Sequence, residues 1–168
     1  GATIVQIRGD FDAAMKLVEQ ASDAYGIYLL NSINPFRMEG QKTILFDLLQ
    51  QLDWNLPDWV VLPGGNLGNS SALGRALIDL QAAGILKRPP RVAVIQAAGA
   101  SPFYEAYLSG FRSFEPMEAN TIASAIRIGD PVSYVRARRT IEMSDGVVEA
   151  VSDAELLDAK AMIDRAGI

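Results

Sequence analysis

The sequence predicts a three-layer α/β unit, a mostly parallel sheet with helices on both faces. Short, β-branched apolar runs alternate with segments of helical period, and the connections between them are short. That is the pattern of right-handed strand-helix-strand units. The 168 residues are 49% hydrophobic, enough for one domain with a real core. Residues 1–168 are therefore read as a single α/β unit, with no internal repeat or low-complexity linker.

Residues 3–7 are β-branched and stop at Gly9 and Asp10, so they are expected as a strand. An amphipathic helix with Phe11, Ala14, Met15 and Val18 on one face follows. Gly26 ends that period, residues 27–30 form a second short apolar strand, and residues 31–37 form a polar turn around Asn34-Pro35. Ile44, Leu45, Leu48, Leu49 and Leu52 keep helical spacing, which predicts a helix over 41–52. A third strand is expected over 59–62, then PGGNLGNSS, then a helix burying Leu73, Leu77 and Leu80. Pro89-Pro90 leads into a strand over 92–95, after which the segment from Ala97 to Phe114 shows no clear period. Helices over 121–126 and 132–144, a strand over 147–150 and a capped helix from Asp153 complete the chain.

Composition narrows the chemistry. The formal charge is -5, and no block of lysine or arginine offers the footprint of a nucleic-acid surface. No apolar run approaches the ~20 residues that span a bilayer, so a cytoplasmic protein with no membrane partner is expected. Cysteine and histidine are both absent, which removes thiolate nucleophiles, Ser-His triads and the usual metal ligands. Catalysis by such a chain would rest on an organic cofactor, a lysine or carboxylates.

GGNLGN lies between a buried strand and a helix. Gly65 and Gly68 let backbone N–H groups converge on an anion at a helix N-terminus, which suits a phosphorylated ligand. The loop lacks both the Lys-Ser/Thr end of a nucleoside-triphosphate loop and the spacing of a dinucleotide fold. A tight strand-to-helix turn without a ligand is the alternative. In NSINPFRMEGQKT, Asn31, Ser32 and Asn34 supply neutral donors and Arg37 a guanidinium fork. Read alone, that segment is better described as an Asn-Pro turn with a capping Asn and a solvated Arg37.

Taken in order, NSINPFRMEGQKT, DWVVLPGGNLGN, RVAVIQAAGA, AIRIGDP and GVVEAVSDAEL resemble the threonine synthases, which belong to the fold type II pyridoxal-phosphate enzymes. The resemblance covers nearly the whole chain. It implies that Gly65, Asn66, Leu67, Gly68 and Asn69 cradle the phosphate of pyridoxal 5'-phosphate, and that Asn31, Ser32 and Arg37, with Asn34 nearby, approach a substrate phosphate. The implied reaction is a carbon-oxygen lyase step on a phosphate ester, turning O-phospho-L-homoserine and water into L-threonine and phosphate. No catalytic residue is assigned, because the family's S-x-K-D-R-like Schiff-base lysine motif has no counterpart around Lys16, Lys42, Lys87 or Lys160. The chain is accordingly read as an internal fragment, inactive alone, with residues 1–30 ending a small domain and crossover and 31–168 belonging to the large domain. Its expected partners are the rest of the parent polypeptide, a phosphorylated amino acid and a second copy in a homodimer. A related lyase or synthase paralogue, or a non-catalytic phosphate-binding module, would share the glycine loop.

Overall fold

In the computed structural model, which describes residues 1–167, three parallel strands lie in chain order: β1 (Trp59–Pro63), β2 (Arg91–Ala97) and β3 (Val147–Val151). Val61 pairs with Ala93 and Ala93 in turn with Val147. The crossover from β1 to β2 is α4 (Gly68–Ala82), and that from β2 to β3 contains α5 (Pro102–Leu108) and α6 (Tyr134–Met143). Val92 and Val94 of β2 and Val148 of β3 are fully buried against Leu77 and Leu80 of α4 and Ile141 of α6. Gly74 lets α4 and α6 meet closely, since a Cβ there would lie 1.9 Å from Thr140 Oγ1. The parallel α/β sheet flanked by helices is the expected class. Among the described residues no helix is long and apolar enough to cross a membrane.

Before the sheet come α1 (Phe11–Tyr25), α2 (Pro35–Gln41) and α3 (Thr43–Gln51), and after it α7 (Asp153–Ala166). Asp10 caps α1, accepting from the Ala13 N–H at 2.8 Å. Ser152 and Glu155 form a reciprocal capping box on α7, whose hydrogen bonds hold the Glu155 carboxyl below its ordinary range.

Several local expectations are corrected. Residues 3–7 and 27–30 are not strands; Ile4 and Val5 are exposed, and neither run has a neighbouring strand to pair with. Strand preference is expressed only where an edge is available. The helix expected over 41–52 is present as α3, but a further helix, α2, precedes it within what reads as a polar turn, because Asn34 caps it and Pro35 fits its first turn; the two meet at Lys42. The segment without clear period contains α5. Residues 121–126 hold only a short 3-10 turn, Ser124–Ile126, because the Asp153 carboxylate takes the Thr121 hydroxyl and the Ile122 N–H.

Lys42 ties the junction of α2 and α3 to α4. Its ammonium donates to Asp79 at 2.8 Å and pairs with Glu39. The hydrogen bond to Asp79, then that to Glu39, raises the lysine above its ordinary value, and the same bond to Lys42 lowers the Asp79 carboxyl. The Asp79 contribution is present above the ordinary carboxylate pKa of about 4 and is lost as pH falls through the depressed folded value. The Lys42 contribution is present below about pH 10 and is lost as pH rises through the raised value. Asp79→Asn should therefore lower the urea midpoint at pH 7 and flatten its fall below about pH 4. An unchanged acid limb would show that the pair is stabilised elsewhere.

Candidate anion site

The site is assembled where β1 hands over to α4. The Gly64 N–H donates to the Ile95 carbonyl at 2.7 Å, and the Gly64 carbonyl accepts from Gln96 Nε2 at 2.9 Å. A Cβ on Gly64 would lie 2.7 Å from Val94 Cγ1, so the chain enters the loop through a space that admits only glycine. At Gly65 a Cβ would lie 3.1 Å from Ile126 Cα and 3.2 Å from the Ala125 carbonyl oxygen. Leu67 takes a left-handed conformation (φ 61°, ψ 14°), which costs a leucine about 1 kcal/mol or more. Burial of its side chain, 2% exposed, holds it there.

This path leaves α4 without a side-chain cap. Among the described residues, no backbone N–H of residues 65–70 donates to another group of the chain. Asn66 Oδ1 accepts from the Val132 N–H at 2.9 Å, while its Nδ2 is buried without a partner. Converging free N–H groups at the start of a 15-residue helix fit a phosphate monoester.

The two sequence segments meet across one cavity of about 330 Å³. Gly65, Asn66, Leu67, Gly68 and Asn69 line one side, and Ser32, Arg37 and Gln41 another; Ala125, Ile126, Ile128 and Phe11 complete the wall. Arg37 Nη1 donates to Ser32 Oγ at 3.4 Å. Arg37 is the charged lining residue, and no carboxylate faces it from the wall among the described residues. An anion entering here meets an uncompensated cation and a helix N-terminus together.

Asn31 and Asn34 are placed differently. Asn34 is buried; its Nδ2 donates to the Leu29 carbonyl at 2.6 Å and its Oδ1 accepts from the Phe36 N–H at 2.9 Å. Asn31 Oδ1 accepts from the Ile33 N–H at 3.1 Å. Both side chains shape the turn that delivers Ser32 and Arg37, and neither lines the cavity. Lys16, Lys42, Lys87 and Lys160 do not line it either.

Gln41, Ala125, Ile126 and Ile128 are additional wall components. Gln41 was findable, since it follows Arg37 by one helical turn. A larger hollow of about 620 Å³ lies at the opposite end of the sheet, where β1 and β2 begin. Arg91 there is paired with Asp145 and stacked 4.2 Å over Trp59, so its charge is already engaged.

Comparison with known proteins supplies the family. The family described as "Pyridoxal-phosphate dependent enzyme" matches residues 1–168. The chain is 46% identical to "Threonine synthase 2, chloroplastic" of Arabidopsis thaliana, over 100% of the chain and 33% of that protein. It is 44% identical to "Threonine synthase" of Methanocaldococcus jannaschii, over 98% of the chain and 41% of that protein. The chain thus spans well under half the length of these relatives. Among solved structures, maize serine racemase superposes with a TM-score of 0.72 at 20% identity, covering 96% of this chain and 46% of that one, which speaks to the fold. A family match through every residue, on a parallel α/β fold, means that the chain belongs to the pyridoxal-phosphate dependent enzymes.

Proposed function

We propose that the chain is the phosphate-holding part of a threonine synthase, one that releases phosphate from O-phospho-L-homoserine and adds water to give L-threonine. The observation that carries the reading is the single cavity shared by the glycine loop and by Ser32 and Arg37. Two sets of anion donors facing one space suit a phosphorylated substrate reacting beside a phosphorylated cofactor. Similarity to threonine synthases at 38–46% identity supports the same reading.

In this reading the free N–H groups of residues 65–70, with Asn66 and Asn69, hold the cofactor phosphate. The bound pyridine ring supplies an electron sink for proton movements on the substrate. Ser32 and Arg37 bind the substrate phosphate, and Arg37 stabilises the charge that grows on it as the carbon-oxygen bond breaks. Asn31 and Asn34 serve by holding that turn. The small-domain reading of residues 1–30 is supported by the exposed apolar side chains Ile4, Tyr28 and Leu30, faces suited to the rest of a parent polypeptide. A cytoplasmic homodimer belongs to the same reading, with Leu157, Met162 and Ile163 of α7 offering further exposed apolar surface.

The lysine that bonds the cofactor lies outside this chain. A lysine must lose its proton to attack an aldehyde, whereas Lys42, next in sequence to Gln41, is held protonated by Asp79 and Glu39. The chain should bind pyridoxal phosphate reversibly, in competition with inorganic phosphate. After borohydride reduction, mass spectrometry should show no stoichiometric adduct on a single lysine. The chain alone should release no phosphate from O-phospho-L-homoserine. A selective adduct or turnover would place a complete site in the chain; failure to bind either phosphate compound would end the reading.

A further inference from the structure

Gln41 is the last residue of α2, four residues after Arg37, so both side chains stand on the face of α2 that lines the cavity. Gln41 Nε2 donates to Asn69 Oδ1 at 3.1 Å, tying α2 to the first turn of α4. A side-chain amide has one accepting end and one donating end. With Oδ1 occupied by Gln41, the end of Asn69 left over is its Nδ2 donor, and Asn69 lines the cavity beside the free N–H groups of the glycine loop. Turned the other way, the same amide would offer oxygen lone pairs to an anion and repel it.

We propose that Gln41 is a positioning residue: it fixes the Asn69 amide so that a donor, not an acceptor, meets the phosphate held on the glycine loop. The inference rests on the phosphate-binding reading above. It explains the use of a neutral amide at residue 41. A carboxylate could only accept, so it would draw Asn69 Nδ2 to itself, turn Oδ1 toward the anion and add a negative charge to the wall.

Calorimetric titration of the 168-residue chain with pyridoxal phosphate, and separately with inorganic phosphate, tests this across wild type, Gln41→Leu, Asn69→Ala and the double variant. Each single change should weaken binding about 3- to 10-fold, the range of one neutral hydrogen bond. The double variant should bind no worse than the weaker single, because both remove the same donor. Unfolding midpoints should stay near wild type, which separates orientation from a merely structural role. Gln41→Glu should lose more than about 10-fold at pH 7 and recover, relative to wild type at the same pH, near pH 4, where a protonated glutamic acid regains a donor. If wild type binds neither probe, the phosphate-binding reading falls and takes the inference with it. If wild type binds but the single effects add, or Gln41→Leu binds normally, the inference alone is overturned.

Discussion

Replacing Gln96 with leucine should destabilise the chain by roughly 3–5 kcal/mol, because it strands one buried carbonyl and two helix-end N–H groups at once. Gln96 is fully buried in β2. Its Nε2 donates to the Gly64 carbonyl, and its Oε1 accepts from the Phe103 N–H at 2.9 Å and the Tyr104 N–H at 3.0 Å. The last two bonds cap α5, where Ser101 makes no side-chain cap. Leucine is no smaller than glutamine, so the loss would not come from a cavity. For a chain of this size the change corresponds to a fall of roughly 10 °C in the thermal midpoint. Anion binding should weaken as well, since Gly64 leads directly into the glycine loop. A fall of under about 1 kcal/mol would mean that Gly64 and α5 find other partners, and that Gln96 is not their anchor.

The same residue shows where sequence reasoning stops. The β1–α4–β2 unit was legible because its signals are local: apolar runs, a glycine-rich turn and the helical spacing of Leu73, Leu77 and Leu80. α5 was not, because its start is capped from Gln96, a residue on a neighbouring strand. The glycine loop was also legible as a closely packed strand-to-helix turn, its requirement for absent side chains being written in Gly64 and Gly65. That Ser32 and Arg37 face the same space was not, since helix packing between α2 and α4 decides it. The capping alternative for NSINPFRMEGQKT describes Asn34, and Arg37 is exposed as that alternative has it, while also lining the cavity shared with the loop. Residues 3–7 and 27–30 look like strands by composition alone, but a strand is defined by its neighbour.

Gly65→Ala and Gly68→Ala should both weaken the binding of pyridoxal phosphate while moving stability in opposite directions. At Gly65 the added methyl would press on the backbone of residues 125 and 126, with Ile126 Cα 3.1 Å away. The loop must shift by a few tenths of an ångström, costing about 1 kcal/mol and turning its N–H groups off their common focus. At Gly68 the methyl meets only Gln41 Oε1, at 3.9 Å, and the residue sits in the first turn of α4. Alanine there should stabilise the folded chain by about 0.5–1 kcal/mol through the unfolded state. Yet Gly68 lines the cavity, so its methyl stands where the anion approaches the helix N-terminus. Losing one charge-assisted hydrogen bond there, about 1.5–3 kcal/mol, corresponds to at least a 10-fold weaker affinity. Urea unfolding and calorimetric titration on the same samples separate the two effects. A more stable Gly68→Ala chain that binds as well as wild type would place the phosphate away from the first turn of α4. A more stable chain that binds poorly would show that glycine is kept at residue 68 for the ligand, at some expense to the fold.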